Sequence, residues 1–413
     1  MIFNQLCFLS CTKNSFIISI DYLCTNKQLM SFFSSDFTLG ILGGGQLGKM
    51  LLTETRKFDI KTAVLDPDAS APGRIATNSF SVGNLMDFQT VVDFGRQADV
   101  ITVEIEAVNT EALAALEAEG KKVYPPSAAL KIIQNKCLQK AHYGANNIPT
   151  SPFTNYESLK DLMLDVVSGT LSLPFVWKSA EAGYDGFGVQ VVREIKDLDT
   201  LKEGACLAEN LVDFQNEIAV IVARNAKGEA VTYPVVEMEF HPTANQVEFV
   251  LCPARINDQI AQHARELALR VADSFKIVGL LAVELFLTKT GELLVNEVAP
   301  RPHNSGHYSI EASVCSQFEN HLRAVLNLPL GDTSSKMAAV MVNLVGAAGF
   351  QGQVKYENIE DILKIPGVTP HIYGKRETRP FRKMGHVTIV HQDIEKAREN
   401  AATVKSTILV KST

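Results

Sequence analysis

Two acids interrupt runs that read as apolar strands. Glu284 lies in Leu281-Ala-Val-Glu-Leu-Phe286, and Glu297 follows Asn296 in Leu293-Leu-Val-Asn-Glu-Val298. A short turn at Lys289-Thr-Gly291 joins the two runs as a hairpin. Carboxylates inside apolar strands are costly unless paired or bound to a cation. Two of them converging, with the neutral oxygen of Asn296 beside them, make a site for a hard cation. Mg2+ takes oxygen ligands and bridges protein carboxylates to substrate phosphates. Solvated strand-face acids are the plainer account, and the apolar setting argues against it.

The stretch after Glu297, Ala299-Pro-Arg-Pro-His-Asn-Ser-Gly-His307, is dense in anion-binding groups: Arg301, His303, Asn304, Ser305 and His307. A cationic, hydrogen-bonding loop beside a metal suits an oxyanion next to a phosphoryl group. Further upstream, Lys178 ends the apolar run Pro174-Phe-Val-Trp-Lys178, and Gly183-Tyr-Asp-Gly-Phe-Gly188 follows. A lysine there can put its ammonium on phosphates. The glycines suit a flap whose N–H groups close over phosphate oxygens, although an ordinary hairpin has similar composition.

Two weaker signals remain. Gly43-Gly-Gly-Gln-Leu-Gly48 matches a phosphate-binding turn between strand and helix, with Asp66 about 20 residues on, as in dinucleotide sites. A dehydrogenase, a nucleotide-sugar enzyme and an unliganded tight turn would all show it. Tyr373-Gly-Lys-Arg376 with Arg382-Lys-Met-Gly-His386 forms a basic cluster that either binds a phosphate or is a solvated face.

The elements that must hold these groups follow from periodicity. Leu39–Leu42, Lys61–Leu65 and Val100–Val103 read as buried strands. Lys49–Phe58 and Thr110–Gly120 read as the intervening helices, which implies a doubly wound parallel sheet. One helix is expected over Ala128–Tyr143. Strands are expected at Pro174–Lys178, Val189–Val192, Cys206–Glu209, Glu217–Ala223, Ala230–Val236, Val247–Leu251, Gly279–Thr288 and Glu292–Val298, with a helix over Ile260–Phe275. The expected divisions are a leader at 1–35, a Rossmann-like domain at 36–130, a small lid at 131–210, a larger metal-bearing unit at 211–330, and an α+β region at 331–413. A length of 413 residues suits such division into several cores.

Bulk properties exclude several classes. A formal net charge of -7 disfavours a global grip on nucleic acid. No apolar run reaches the roughly 18–20 residues that span a bilayer. The 7 cysteines are odd in number and contain no CxxC pair, which points to free thiols in a reducing compartment. The leader has an apolar run at Phe16–Ile20 but lacks a clean signal-peptide pattern. It reads as poorly ordered, with translation beginning at Met30.

In order along the chain, these motifs resemble the ATP-grasp superfamily and, more narrowly, the 5-(carboxyamino)imidazole ribonucleotide synthases. The likeness rests on Gly40–Met50, Gly183-Tyr-Asp-Gly186, Asn296–His307 and Arg382–His386, and covers about residues 37 to 400. The resemblance implies an ATP-grasp fold behind a Rossmann-like domain. It implies ATP and Mg2+ as cofactors, with Lys136 and Lys178 on ATP phosphates and the flap Gly183, Tyr184, Asp185, Gly186, Phe187, Gly188 and Val189 above them. Glu209, Asn210, Leu211 and Val212 would form the adenine hinge. Glu217 would hold the ribose, with His241 and Asn296 also at the nucleotide. Glu284 and Glu297 would bind the metal.

Asp185, Arg301, His303 and Asn304 would face aminoimidazole ribonucleotide and bicarbonate, with Gln46, Lys375, Arg382 and Lys383 also on the ribonucleotide. The implied setting is a cytoplasmic homodimer in purine biosynthesis, with no nucleic-acid or membrane partner. Phe187 and Val189 depart from the family flap, which commonly carries Lys and Gln there. Backbone cradling survives that change; a side-chain contact to phosphate does not. Alternatives are another ATP-grasp ligase such as a formate-dependent glycinamide ribonucleotide transformylase, a nicotinamide-dependent dehydrogenase, and a nucleotide-binding regulatory protein.

Overall fold

The computed structural model describes residues 32–181, 188–242 and 246–413. Most of the leader, residues 182–187 with the expected flap residues Gly183–Phe187, and residues 243–245 lie outside them.

The first layer is a parallel five-stranded sheet in the order β3-β2-β1-β4-β5: β1 Leu39–Leu42, β2 Thr62–Asp66, β3 Ser79–Val82, β4 Val100–Val103 and β5 Lys122–Tyr124. Helices α1 (Gln46–Lys57), α2 (Phe88–Arg96) and α3 (Thr110–Ala118) are the crossovers. β1, β2 and β4 are buried along their whole length, as continuous apolar runs in a doubly wound sheet should be.

The expected Ala128–Tyr143 helix is two helices, α4 (Ser127–Ile133) and α5 (Lys136–Ala145). Asn135 breaks the run. Its backbone is extended and its side chain accepts from Leu138 N–H at 3.1 Å, so it caps a new helix. The apolar period runs across the break, which hid it from pattern reading. The break puts Lys136 at the first position of α5, where its N–H donates to Ala180 O at 2.8 Å.

A separate four-stranded sheet follows, in the order β6-β9-β7-β8: β6 Phe153–Tyr156, β7 Phe175–Ser179, β8 Val189–Val192 and β9 Cys206–Asn210. It is backed by α6 (Leu159–Ser168) around Leu162, Phe175, Trp177 and Leu198.

The largest sheet has nine strands. Its members are β10 Phe214–Arg224, β11 Ala230–Thr232, β12 Val236–Phe240, β13 Val247–Cys252, β14 Gly279–Thr288, β15 Leu293–Ala299, β16 Ala338–Val345, β18 Val368–Ile372 and β20 Lys383–His391. Outside it, β17 (Gly352–Glu357), β19 (Glu377–Thr378) and β21 (Leu409–Ser412) make a small sheet. The expected Ala230–Val236 strand is split into β11 and β12 around Pro234, which has no N–H for a ladder.

The large sheet runs β15-β14-β10-β12-β13-β16-β20-β18, with β11 also on β10. It does not stop at the boundary expected near 330: β13 pairs with β16, Phe249 opposite Val342, so the C-terminal strands continue the same ladder. Behind β10 and β14 lies α7 (Asp258–Ser274). Its Ala264, Leu267, Ala268, Val271 and Ala272 recur at helical spacing and bury against Ile218, Val220, Leu281 and Val283. Each such large aliphatic side chain contributes about 1.5–3 kcal/mol on burial. Helices α8 (Ser309–Ala312), α9 (Gln317–Val325), α10 (Ile359–Ile362) and α11 (Ile394–Thr407) complete the chain. Phe318, Leu322 and Val325 of α9 share a core with Leu39, Ile41 and Leu51, which locks the N-terminal sheet to the large one.

Candidate active site

The antiparallel register of β14 and β15 sets Glu284 directly opposite Glu297, so both carboxylates leave the same face. Ala219 of β10 also lies opposite Glu284, which puts Glu217, two residues along, on that face as well. Three acids therefore share one face of the sheet. Burial, then the charges of Glu297 and Glu217, push the Glu284 carboxyl above its ordinary range. Burial, then Glu297, raises Glu217 to about 7. Glu297 is held well below the usual range, first by the charge of Lys136, whose Nζ lies 2.6 Å from Oε2.

This arrangement fits a hard divalent cation. The donors are carboxylate oxygens; Lys136 pairs with Glu297, and His303 Nε2 lies 3.4 Å from Glu284 Oε1. No group of three such side chains cages a metal among the described residues. Two carboxylates are what Mg2+ takes when phosphates and water supply the rest.

Beside the acids is a buried cationic patch. Lys178 at the end of β7 donates to Asn296 Oδ1 at 2.9 Å and lies 3.0 Å from Glu209 Oε1. Lys136, Lys178 and Asn296 thus come together around Glu297. The Glu209 side chain turns inward to lysines, so a hinge at Glu209–Val212 would present backbone instead. Asn210 and Leu211 are exposed there, and Val212 is half-buried. His241 stacks edge-on with Phe381, ring centroids 5.9 Å apart, which places it toward the C-terminal basic loop.

On the other side of the acids lies the 301–307 loop. The Arg301 guanidinium makes two bonds to Glu106, Nε to Oε2 at 2.8 Å and Nη2 to Oε1 at 2.6 Å. The Gln317 amide grips the His303 backbone at both ends, accepting from N–H at 2.9 Å and donating to C=O at 2.8 Å. Asn304 and Asn343 of β16 exchange amide hydrogen bonds at 2.9 and 3.0 Å. His307 is fully buried, and burial holds its imidazole well below the ordinary pKa. It supports the loop and does not face a ligand.

The basic cluster converges on the same region. The charge of Lys383 reaches Glu284 and lowers its pKa. Lys375 Nζ donates to Lys383 O at 2.7 Å, and Arg382 Nη1 to Glu377 O at 2.7 Å. Lys49 of α1 donates to Ile372 O at 2.8 Å, which brings the half-buried Gln46 end of α1 beside this loop. The flap residues Gly183, Tyr184, Asp185, Gly186 and Phe187 lie outside the described residues; Gly188 N-terminal to β8 accepts from Ser179 N–H at 2.8 Å.

The Gly43–Gly48 turn does not offer its amides to a dinucleotide. Gly44 N–H donates to Asp66 Oδ2 at 2.6 Å, and Gly45 and Gly48 donate to Glu104 at 3.1 and 2.9 Å. Asp66 is therefore part of the turn, not a ribose ligand. Gly43 sits at φ +98, and a Cβ there would come 2.5 Å from Glu104 Cγ, so glycine is required. Sequence reading missed Glu104, Glu106, Lys140 and Gln317. The pair Glu104-Ile-Glu106 directly after β4 was the available signal, because acids at the carboxyl end of a parallel strand lie where such sheets bind ligands.

Three family models match in order: a ribonucleotide synthetase preATP-grasp domain at residues 37–134, an ATP-grasp domain at 141–318, and a phosphoribosylaminoimidazole carboxylase C-terminal domain at 339–400. N5-carboxyaminoimidazole ribonucleotide synthase of Bacillus subtilis is 39% identical over 363 residues, covering 86% of this chain and 91% of that protein. The chloroplastic phosphoribosylaminoimidazole carboxylase of Vigna aconitifolia is 38% identical over 376 residues, covering 89% of this chain but 66% of the relative. The chain thus spans about two thirds of that longer protein. Among solved structures, N5-carboxyaminoimidazole ribonucleotide synthetase from Thermotoga maritima superposes with a TM-score of 0.84 at 40% identity, over 91% of this chain and 100% of the other. The Aspergillus clavatus synthase in complex with ADP and 5-aminoimidazole ribonucleotide does so with a TM-score of 0.82 at 32% identity, over 90% and 98%. With matching models across all three regions and this identity over nearly the whole bacterial relative, the chain belongs to the N5-carboxyaminoimidazole ribonucleotide synthase family.

Proposed function

We propose that this chain is an ATP-dependent ligase that carboxylates the exocyclic amine of 5-aminoimidazole ribonucleotide, using bicarbonate, in purine biosynthesis. The observation that carries the reading is the crowding of Glu217, Glu284 and Glu297 between Lys136 and Lys178 on one side and Arg301, His303 and Lys383 on the other.

A bicarbonate oxygen attacks the γ-phosphorus of ATP, the bond to the β-phosphate oxygen breaks, and ADP and carboxyphosphate result. The amine nitrogen then bonds to the carboxyl carbon, phosphate leaves, and the amine gives up a proton. Lys136 and Lys178 offset negative charge on the transferring group, the main demand in phosphoryl transfer. Glu284 and Glu297 would hold Mg2+, which would supply further charge neutralisation at the phosphates. Arg301 and His303 orient the small carboxylate, each fixed by a partner of its own, Glu106 and Gln317. Asp185 is assigned to orient or deprotonate the amine. Lys375, Arg382 and Lys383 take the ribonucleotide phosphate, with Gln46 bordering it. Glu217, His241 and the Glu209–Val212 backbone line the nucleoside.

ADP release measured with aminoimidazole ribonucleotide, with and without bicarbonate, tests the proposal. Turnover should require both. Turnover that instead needs glycinamide ribonucleotide with formate would move the chain to the transformylase reading. No helix among the described residues is long and apolar enough to cross a membrane. The family likeness also supports a cytoplasmic homodimer, which sedimentation of the purified chain and cell fractionation would check.

A further inference from the structure

Lys140 takes no part in the chemistry above, yet its side chain is only 2% exposed. It lies one helical turn beyond Lys136 on α5, so the two project from one face. Its ammonium donates to Thr150 Oγ1 at 2.5 Å and Ser151 Oγ at 3.2 Å, and it pairs by charge with Glu209 Oε1 at 3.1 Å. Each acceptor leads to another part of the site. Thr150 Oγ1 donates to Val295 O at 2.6 Å, immediately before Asn296 and Glu297. Ser151 donates to the second oxygen of Glu209 at 2.8 Å. Glu209 Oε1 also receives Lys178, whose other partner is Asn296.

We propose that Lys140 is a positioning residue for nucleotide binding: it supplies the resident cation for Glu209 and so leaves Lys178 able to turn toward phosphate. The charge count shows why. Two ammonium groups share one buried carboxylate, and the surplus positive charge is what an anionic ligand meets. Without Lys140, Glu209 and Lys178 form a closed, mutually neutralised pair. A phosphate must then break a buried ion pair to recruit Lys178, leaving a carboxylate unpaired, which is costly. Burial lowers the Lys140 pKa to about 8 while Glu209 pulls the other way, so the ammonium form is maintained by this partner. The inference rests on the nucleotide reading of the site and deepens it.

The test reads binding directly. Titration calorimetry of the purified protein reads the Kd for MgADP. In Lys140→Met the Kd for MgADP and the KM for ATP should rise about tenfold or more, as expected when a buried ion pair must be broken. The KM for aminoimidazole ribonucleotide should stay within about twofold, because uniform loss of fold would move both. The double variant Lys140→Met/Glu209→Gln should recover most of the affinity, because a neutral amide no longer competes for Lys178. Unchanged MgADP binding in a folded Lys140→Met protein overturns the proposal, as does a double variant no tighter than the single. If circular dichroism shows Lys140→Met unfolded, the double variant decides: folded and binding supports the proposal, anything else overturns it. Failure of the wild-type protein to bind MgADP removes the nucleotide reading itself, and this inference with it.

Discussion

Glu104 directly follows a buried strand and Glu284 lies within one, and their surroundings are opposite. Glu104 receives the N–H groups of Gly45 and Gly48, and these bonds oppose the upward push of burial on its pKa. Glu284 faces Glu297 and Glu217, and both raise its pKa further. The first acid is completed by its own chain. The second is placed where the chain alone leaves like charges crowded. A satisfied buried acid is architecture, and a crowded one is a seat for something not encoded in the sequence.

The strongest way to break this comparison is Glu284→Gln. It should cut ADP formation by about a thousandfold, since charge stabilisation at the reacting phosphate is the largest catalytic contribution. The melting temperature should equal or exceed that of wild type, because repulsion is removed. Near-normal turnover at saturating Mg2+ would contradict the assignment. The converse variant, Glu104→Ala, leaves two buried amides without acceptors and should cost about 3 kcal/mol of stability. It should lose far less turnover per folded molecule than Glu284→Gln; denaturant melts with paired rate measurements check this.

The third expectation concerns pH. Glu217 has a folded-state pKa raised to about 7, so the folded protein binds more protons than the unfolded chain between there and the ordinary carboxylate range. That stability is present at acid pH and is lost as pH rises through about 7, on the order of 2–3 kcal/mol for the apo chain. Glu217→Gln should flatten this limb. The opposite limb belongs to His321, fully buried, with Nε2 at 2.9 Å from Thr102 Oγ1 and burial holding its pKa at about 3. Its folded-state pKa is depressed, so stability falls as pH drops below the unfolded value near 6.5, by about 2 kcal/mol at pH 5. The two slopes oppose each other between about pH 4.5 and 6.5, so wild-type melting temperatures should be nearly level there, and Glu217→Gln should expose stability that rises with pH over that window. A level profile in Glu217→Gln as well would remove the His321 assignment.

The smallest effect is a control remote from the acids. Asn257 caps α7 by accepting from Ile260 N–H at 2.9 Å. Asn257→Ala should cost about 1 kcal/mol and leave ATP KM unchanged, as thermal melts and initial rates would show.

Much of the site was legible because its chemistry violates local pattern. Glu284 and Glu297 stand out from apolar strands, and Arg301, His303 and Asn304 follow without a gap. The doubly wound sheet was legible from β1, β2 and β4, whose runs are mostly apolar and buried along their length. Glu104 was not, because its role depends on glycine amides some 56 residues away in the chain. Lys140 was hidden for a different reason: a lysine on an amphipathic helix looks solvated, and only the fold brings Glu209 to it. The C-terminal strands read as a separate region because the pairing of β13 with β16 spans α7, β14, β15, α8 and α9, and no local signal announces it. The flap motif Gly183-Tyr-Asp-Gly186 remains a sequence reading, outside the described residues.

That shared ladder has a mechanical consequence. From β15, which carries Glu297, to β20, which begins at Lys383, each strand is hydrogen-bonded to the next. The proposed seat for the metal and the proposed seat for the sugar phosphate are marks on one ruler, and their spacing is set by strand width. Ligand capture cannot come from those two seats closing on each other. The small sheet β6-β9-β7-β8, which carries Lys178, shares no ladder with the ruler, so its spacing from the two seats is not set by strand width.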